Sequence, residues 1–223
     1  MFLDIYSFTK ESNNLSLDKV FSVLCTSGCT LRCTNCGKPE IQKFGNKNTD
    51  EKTIIDFIKK SKNKNICITG GDPLEQPDLI DFFMMLRMAG AYIRLDTVGT
   101  YPEKLKKIID SGYVDYISMN IKTSRERYYQ IIDKNINLSD IDKSIDIIKS
   151  SEIEYEFSTV VVKELHDEKV IADIGKWLDG AKQYYINQYN RNNKFTQYTM
   201  EELSKFYEIL KPHIEQIGIR WFR

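Results

Sequence analysis

Lys19-Val-Phe-Ser-Val-Leu-Cys-Thr26 runs directly into Ser27-Gly-Cys29-Thr-Leu-Arg-Cys33-Thr-Asn-Cys36. The first half is short, apolar and β-branched, which reads as a strand, and the Ser-Gly pair ends it in a loop crowded with thiols. The same kind of run recurs outward along the chain, at Asn65–Thr69, Tyr92–Thr97, Tyr116–Lys122, Tyr155–Val162 and Gln183–Tyr189. A last apolar run at Ile217–Phe222 is a further strand candidate. Between them lie stretches with apolar residues three and four apart, the mark of an amphipathic helix. These are Thr49–Ile58, with Thr49 as its expected cap, Pro77–Ala89, Tyr101–Ser111, Ser139–Ser150, Asp167–Leu178 and Met200–Leu210. Six strands alternating with helices predict α/β architecture with a parallel sheet, whose right-handed crossovers put the helices outside.

Composition narrows the class. The 223 residues suit one domain, and 32 basic against 32 acidic side chains leave no formal net charge. That balance speaks against nucleic acid or an anionic membrane as a main partner. No stretch approaches ~18 consecutive apolar residues, and the opening Met1–Lys10 lacks the pattern of an export signal. The expectation is a soluble, cytoplasmic, single-domain protein. Four of the five cysteines fall between Cys25 and Cys36, with Cys67 alone. An odd count so tightly clustered points to metal rather than to a disulfide framework.

Cys29, Cys33 and Cys36 have three and then two residues between them. Three thiolates so spaced fit three corners of an iron–sulfur cube and leave one iron open, whereas all-cysteine clusters normally use four. An open iron binds and orients a small molecule. Two other readings compete: a structural zinc site with Cys25 as fourth ligand, and a four-cysteine electron carrier. Taken by themselves, Cys25 and Cys67 read as small buried side chains. The other unusual residues collect where strands meet helices: Gly70-Gly71-Asp72-Pro73, Asp96-Thr97-Val-Gly-Thr100 and Asn120-Ile-Lys122. In parallel α/β barrels that edge is where sites assemble.

With the Cys29/Cys33/Cys36 motif and these loops together, the sequence resembles the radical S-adenosylmethionine (SAM) superfamily. Ile153–Val162, Leu165-His166, Gly180–Lys182 and Ile186-Asn-Gln-Tyr189 are similar to the short activating proteins of anaerobic ribonucleoside-triphosphate reductase. The resemblance covers residues 17–223 as the core domain and leaves 1–16 as an N-terminal extension. It implies a partial, six-stranded (β/α) barrel. It also implies a [4Fe–4S] cluster on Cys29, Cys33 and Cys36, and SAM chelated to the open iron.

Further roles follow from the resemblance residue by residue. Gly70, Gly71 and Asp72 match the element that receives the methionine amino group, with Asp shorter by one methylene than the usual Glu. Lys122 would face the methionine carboxylate. Asp96 and Thr97, with Asn120 where Asp is usual, would supply oxygens to a monovalent cation. Asn35 stands where many members carry an aromatic residue near the adenine, so adenine packing must come from elsewhere or from the Asn35–Gly37 backbone. Asn187 is the polar position on the sixth strand, and Ser158 replaces an expected arginine on the fifth.

The implied activity is hydrogen abstraction from a glycine of a partner glycyl-radical enzyme, with flavodoxin or ferredoxin as electron donor and no nucleic acid or membrane partner. The alternatives are a radical enzyme acting on a small molecule or another peptide, such as a deazapurine-forming enzyme, and a non-enzymatic zinc or iron–sulfur module. The two histidines, His166 and His213, read as packing or surface residues. Trp221 and Phe222 read as cover for the barrel end.

Overall fold

The computed structural model describes residues 3–12, 19–45, 48–132, 136–189 and 194–221. Among these residues, eight strands form one sheet in chain order. They are β1 (Ile5–Ser12), β2 (Phe21–Thr26), β3 (Asn65–Gly70), β4 (Tyr92–Thr97), β5 (Tyr116–Asn120), β6 (Glu154–Val161), β7 (Ala181–Gln188) and β8 (Ile214–Trp221). From β2 to β8 every pairing is parallel, while β1 runs antiparallel to β2. The parallel part therefore has seven strands, the last run completing it. Part of the N-terminal extension supplies the antiparallel edge strand β1, and the expected boundary at residue 16 lies outside the described residues, as does Phe222. Trp221 does not cover a core: it is 45% exposed at the end of the edge strand.

Among the described residues, seven helices fill the crossovers: α1 (Glu51–Lys60), α2 (Leu79–Met88), α3 (Pro102–Asp110), α4 (Tyr128–Ile131), α5 (Leu138–Ser150), α6 (Glu168–Trp177) and α7 (Met200–Leu210). Their starts follow capping chemistry. Asp50, not Thr49, caps α1 by accepting from Thr53 N at 2.7 Å. Asp167 caps α6 in the same way, and Thr199 with Glu202 makes a reciprocal capping box on α7.

Period-two alternation gives the parallel strands two unlike faces. Under the helices, Leu24, Ile68, Leu95, Ile117, Tyr155 and Phe157 sit in one buried apolar cluster. Their register is continuous, from Leu24 opposite Ile68 to Ile117 opposite Tyr155. The other face carries Arg94, Asp96, Ser118, Glu156, Asn187 and Arg220. The first and last strands are not neighbours, so the sheet is an open, partial barrel with a polar concave side.

Candidate active site

The cysteine loop is held by backbone bonds. Gly28 N donates to Ile41 O at 2.7 Å, Cys29 N to Gln42 O at 3.1 Å and Thr34 N to Ile131 O at 2.8 Å. Leu31 is buried as an apolar peg, and Arg32 takes φ +46°, the one positive φ outside glycine among the described residues. Such a conformation persists only where surroundings impose it. Here it turns the chain between the first and second thiols.

The second loop is locked onto the first. Gly71 N donates to Thr26 O at 2.9 Å. A Cβ on Gly70 would lie 2.4 Å from the Thr26 backbone, and one on Gly71 would lie 1.9 Å from Gly28 O. The close approach that two adjacent glycines permit is thus made to the cysteine loop itself. Glu75, on the following 3-10 turn, adds a clamp by accepting from Thr30 N at 2.8 Å and Thr30 Oγ1 at 3.0 Å.

Asp72 is fully buried rather than turned outward. Its carboxylate accepts from Thr97 Oγ1 at 2.7 Å, Thr100 Oγ1 at 3.0 Å and Leu74 N at 3.2 Å. Burial raises its pKa, and these donors only partly offset the effect. The shorter side chain stitches the second loop to the third.

The three thiols form one electrical group. Burial pushes Cys29 up to about 11, with the charges of Asp72 and Cys33 adding to the rise. Cys33 is also raised by burial, offset by the Lys122 ammonium and increased by Cys36. A loop that disfavours bare thiolates suits a group that brings its own positive charge. Among the described residues, no three His, Cys, Asp or Glu side chains converge at the spacing of ligands round a single metal ion. Cys25 is buried on β2, where its Sγ accepts from Lys38 Nζ at 3.1 Å.

The expected cation site is already balanced by protein. Arg94 Nε donates to Asp96 Oδ1 at 2.7 Å, and Asn120 Nδ2 lies 3.4 Å from Ser158 Oγ. The Arg94 guanidinium thus already neutralises one oxygen of Asp96, and the Thr97 hydroxyl is engaged with Asp72. Lys122 lies near enough to Cys33 for its ammonium to act on that thiol. Its carbonyl accepts from His166 Nε2 at 2.9 Å, while Val162 N donates to His166 Nδ1 at 3.1 Å. His166 is thus a buried packing residue that fixes the end of β5. His213 pairs with Asp179 at 2.7 Å.

A cleft of about 290 Å³ opens beside the loop, lined by Cys33, Cys36, Gly37, Tyr189, Lys194 and Phe195 among others. Tyr189 and Phe195 meet edge to face at 5.6 Å, and Lys194 Nζ donates to Thr34 O at 3.0 Å. These two rings supply the aromatic wall that Asn35 does not. Neither Asn35 nor Asn187 lines this cleft. Asn187 instead pairs in register with Arg220 on the concave wall.

Sequence reading missed the densest feature of that wall. Glu156 accepts from Arg220 Nη1 and Nη2 at 2.6 and 2.7 Å, Arg94 Nη2 at 2.9 Å, Tyr116 at 2.8 Å and Ser118 at 2.8 Å. Burial alone would raise its pKa, but the two guanidiniums and Tyr116 outweigh it and hold it near 2. The signal was present: Arg94, Glu156 and Arg220 each interrupt an apolar strand with a charge on the same parity as the polar face.

The radical SAM superfamily model matches residues 23–175, well over half of the chain, and the chain belongs to that superfamily. A protein of Methanocaldococcus jannaschii, provisionally named a glycyl-radical enzyme activating enzyme, is 25% identical over 91% of this chain and 89% of its own length. The 7-carboxy-7-deazaguanine synthase of Aquifex aeolicus is 30% identical over 48% of this chain and 49% of its own. In fold, the chain is similar to a radical SAM methyltransferase from Sphaerobacter thermophilus, with TM-score 0.73 and 11% identity. That likeness covers 90% of this chain and 66% of the methyltransferase. Streptococcus suis SuiB bound to S-adenosylmethionine superposes with TM-score 0.66 and 12% identity, over 85% of this chain and 48% of SuiB.

The protein is therefore a radical SAM enzyme that uses a [4Fe–4S] cluster and SAM, and the zinc-module alternative falls away. When bound, these cofactors supply an electron and a 5′-deoxyadenosyl radical. Here the chain places three thiols on a pinned loop, packs the Gly70–Gly71 backbone against it and sets Lys122 near Cys33. No helix among the described residues is long and apolar enough to cross a membrane.

Proposed function

We propose that this chain activates a glycyl-radical enzyme, with anaerobic ribonucleoside-triphosphate reductase as partner and a flavodoxin or ferredoxin as electron donor. The observation that carries the reading is the open side of the barrel, where β1 and β8 end the sheet without meeting. A peptide loop needs lateral entry to reach the cysteine loop, and glycine, lacking Cβ, can be brought closest. Supporting it is the similarity to the M. jannaschii protein, which runs nearly end to end. In this reading Cys29, Cys33 and Cys36 hold the cluster, Gly70 and Gly71 receive the methionine amino group, Lys122 faces its carboxylate, and Tyr189 with Phe195 packs the adenine.

A second reading, radical chemistry on a small molecule, has the half-length match to the deazaguanine synthase in its favour. Anaerobic incubation with SAM, a reductant and the candidate partner separates the two. The activase reading expects a glycine-centred doublet by electron paramagnetic resonance. Release of 5′-deoxyadenosine with no protein radical selects the second reading.

A further inference from the structure

The electron that a radical SAM cluster delivers has to be supplied from outside the chain. Cys33 and Cys36 are half-buried rather than buried, and both line the cleft beside the cysteine loop. The charged residues that line the same cleft, Arg32 and Lys194, are both basic and both exposed. Over residues 30–45 the half-buried Lys38 and the exposed Lys43 add two ammonium groups, against a single acid, Glu40. The chain as a whole carries no formal net charge, so this positive excess is local.

Phe44 follows Lys43 and is 54% exposed, yet its ring is seated. It lies on Gly28, where a Cβ would stand 2.2 Å from the ring. Gly28 takes φ +91° and directly precedes Cys29. The ring is thus held by backbone next to a cluster ligand while it shows more than half of its surface to solvent. An apolar aromatic anchor supplies affinity at a protein interface, and the charges round it steer the approach.

The geometry points to Phe44, with Arg32, Lys43 and Lys194, as the docking surface for an electron-carrier protein with an acidic face. A substrate has to enter the barrel, whereas an electron needs only a close approach to the thiols, which this rim gives. Redox encounters use small interfaces, and one ring with a few charges is enough for them. The reduced carrier is oxidised by one electron and the cluster is reduced by one, with no bond made or broken. This inference rests on the reading that a flavodoxin or ferredoxin is the donor.

The test is stopped-flow absorbance of the anaerobically prepared holoenzyme, mixed with a photoreduced acidic flavodoxin or with reduced methyl viologen, which needs no docking surface. Reduction of the wild-type cluster by flavodoxin is expected to slow about tenfold from low salt to about 0.5 M salt. At low salt Lys43→Glu should be about fivefold slower with flavodoxin, and Phe44→Ala about tenfold slower. Both variants should match the wild type with methyl viologen. Reduction by flavodoxin that ignores salt and both substitutions overturns the inference and leaves the donor reading intact. So does an equal loss with flavodoxin and viologen, which makes the surface a brace for the cysteine loop. Unchanged reduction with slower formation of the glycyl radical gives the surface to the partner enzyme instead, and overturns the inference as well. A wild type that viologen reduces and flavodoxin does not removes the donor reading and the inference with it.

Discussion

Tyr155 and Glu156 are chain neighbours on β6, yet they belong to different worlds. On the helix side Tyr155 and Phe157 join an unbroken aliphatic and aromatic layer. On the concave side Glu156 and Ser158 face guanidiniums, hydroxyls and amides. A parallel strand covered on both faces ordinarily reads as a continuous apolar run. Here strict alternation survives because one face is given over to chemistry. The contrast teaches that the helix side should answer mutations in stability alone, while the concave side and its rim should answer in function as well.

The largest effect should come at the rim. Cys29→Ala, Cys33→Ala and Cys36→Ala are each expected to abolish SAM cleavage, while Cys25→Ala on the strand retains it. Anaerobic assay of 5′-deoxyadenosine with iron analysis checks this. An intact cluster and full cleavage in Cys36→Ala would break the assignment of the rim as the chemical site.

Next comes a matched pair across the sheet. Phe157→Ala opens a cavity in the apolar layer and should cost about 3–5 kcal/mol. Glu156→Gln leaves two buried guanidiniums without their anion and should cost a similar amount, about 3–5 kcal/mol. Urea denaturation measures both, and pH tells them apart. Glu156 is held near 2 against an ordinary 4.5, so its contribution is present above about pH 4.5 and is lost as pH falls toward 2. The drop is on the order of 3 kcal/mol. Phe157→Ala should keep that acid slope and Glu156→Gln should flatten it. Equal slopes would remove Glu156 as the origin of the acid response.

Smaller again is Gly71→Ala. A Cβ 1.9 Å from Gly28 O meets backbone that cannot swing aside. The variant should lose about 2 kcal/mol of stability, within the ordinary range for backbone strain. It should also bind SAM more weakly, because the cysteine loop moves with it; equilibrium binding of SAM to the holoenzyme measures the second effect.

Much of this was legible in the sequence because the signals are local. Strand and helix periodicity, the thiol spacing and the residues at the strand ends all lie within a dozen positions, and the structure keeps them in place. What escaped is what the fold brings together from afar. Glu156 meets Arg94 and Arg220 across 62 and 64 positions. Tyr189 and Phe195 meet the cysteine loop only after the sheet curls, and Asp72 turned inward because Thr97 and Thr100 wait there. The strand β1 escaped for another reason: Ile5–Ser12 is an edge strand, half polar, with a weak alternation.

The smallest prediction tests the helix side by itself. The sequence pattern puts the cap of α1 at Thr49 and does not single out Asp50. The structure does, because Asp50 has the extended backbone of a cap residue, φ −112° and ψ 159°, and its carboxylate takes the Thr53 N–H at 2.7 Å. Removing that acceptor leaves an N–H of the first turn unsatisfied, so Asp50→Ala should cost about 1 kcal/mol. Thr49→Ala, one position outside the cap, should cost close to nothing. Both should cleave SAM at the wild-type rate, since α1 packs on the barrel through buried Ile54, Ile55 and Ile58, and its buried Glu51 bonds Leu3 N at 2.8 Å rather than the cysteine loop. A fall in cleavage rate for Asp50→Ala at full folding would mean that the helix side transmits strain to the cysteine loop, and the two faces of the sheet would have to be treated as one.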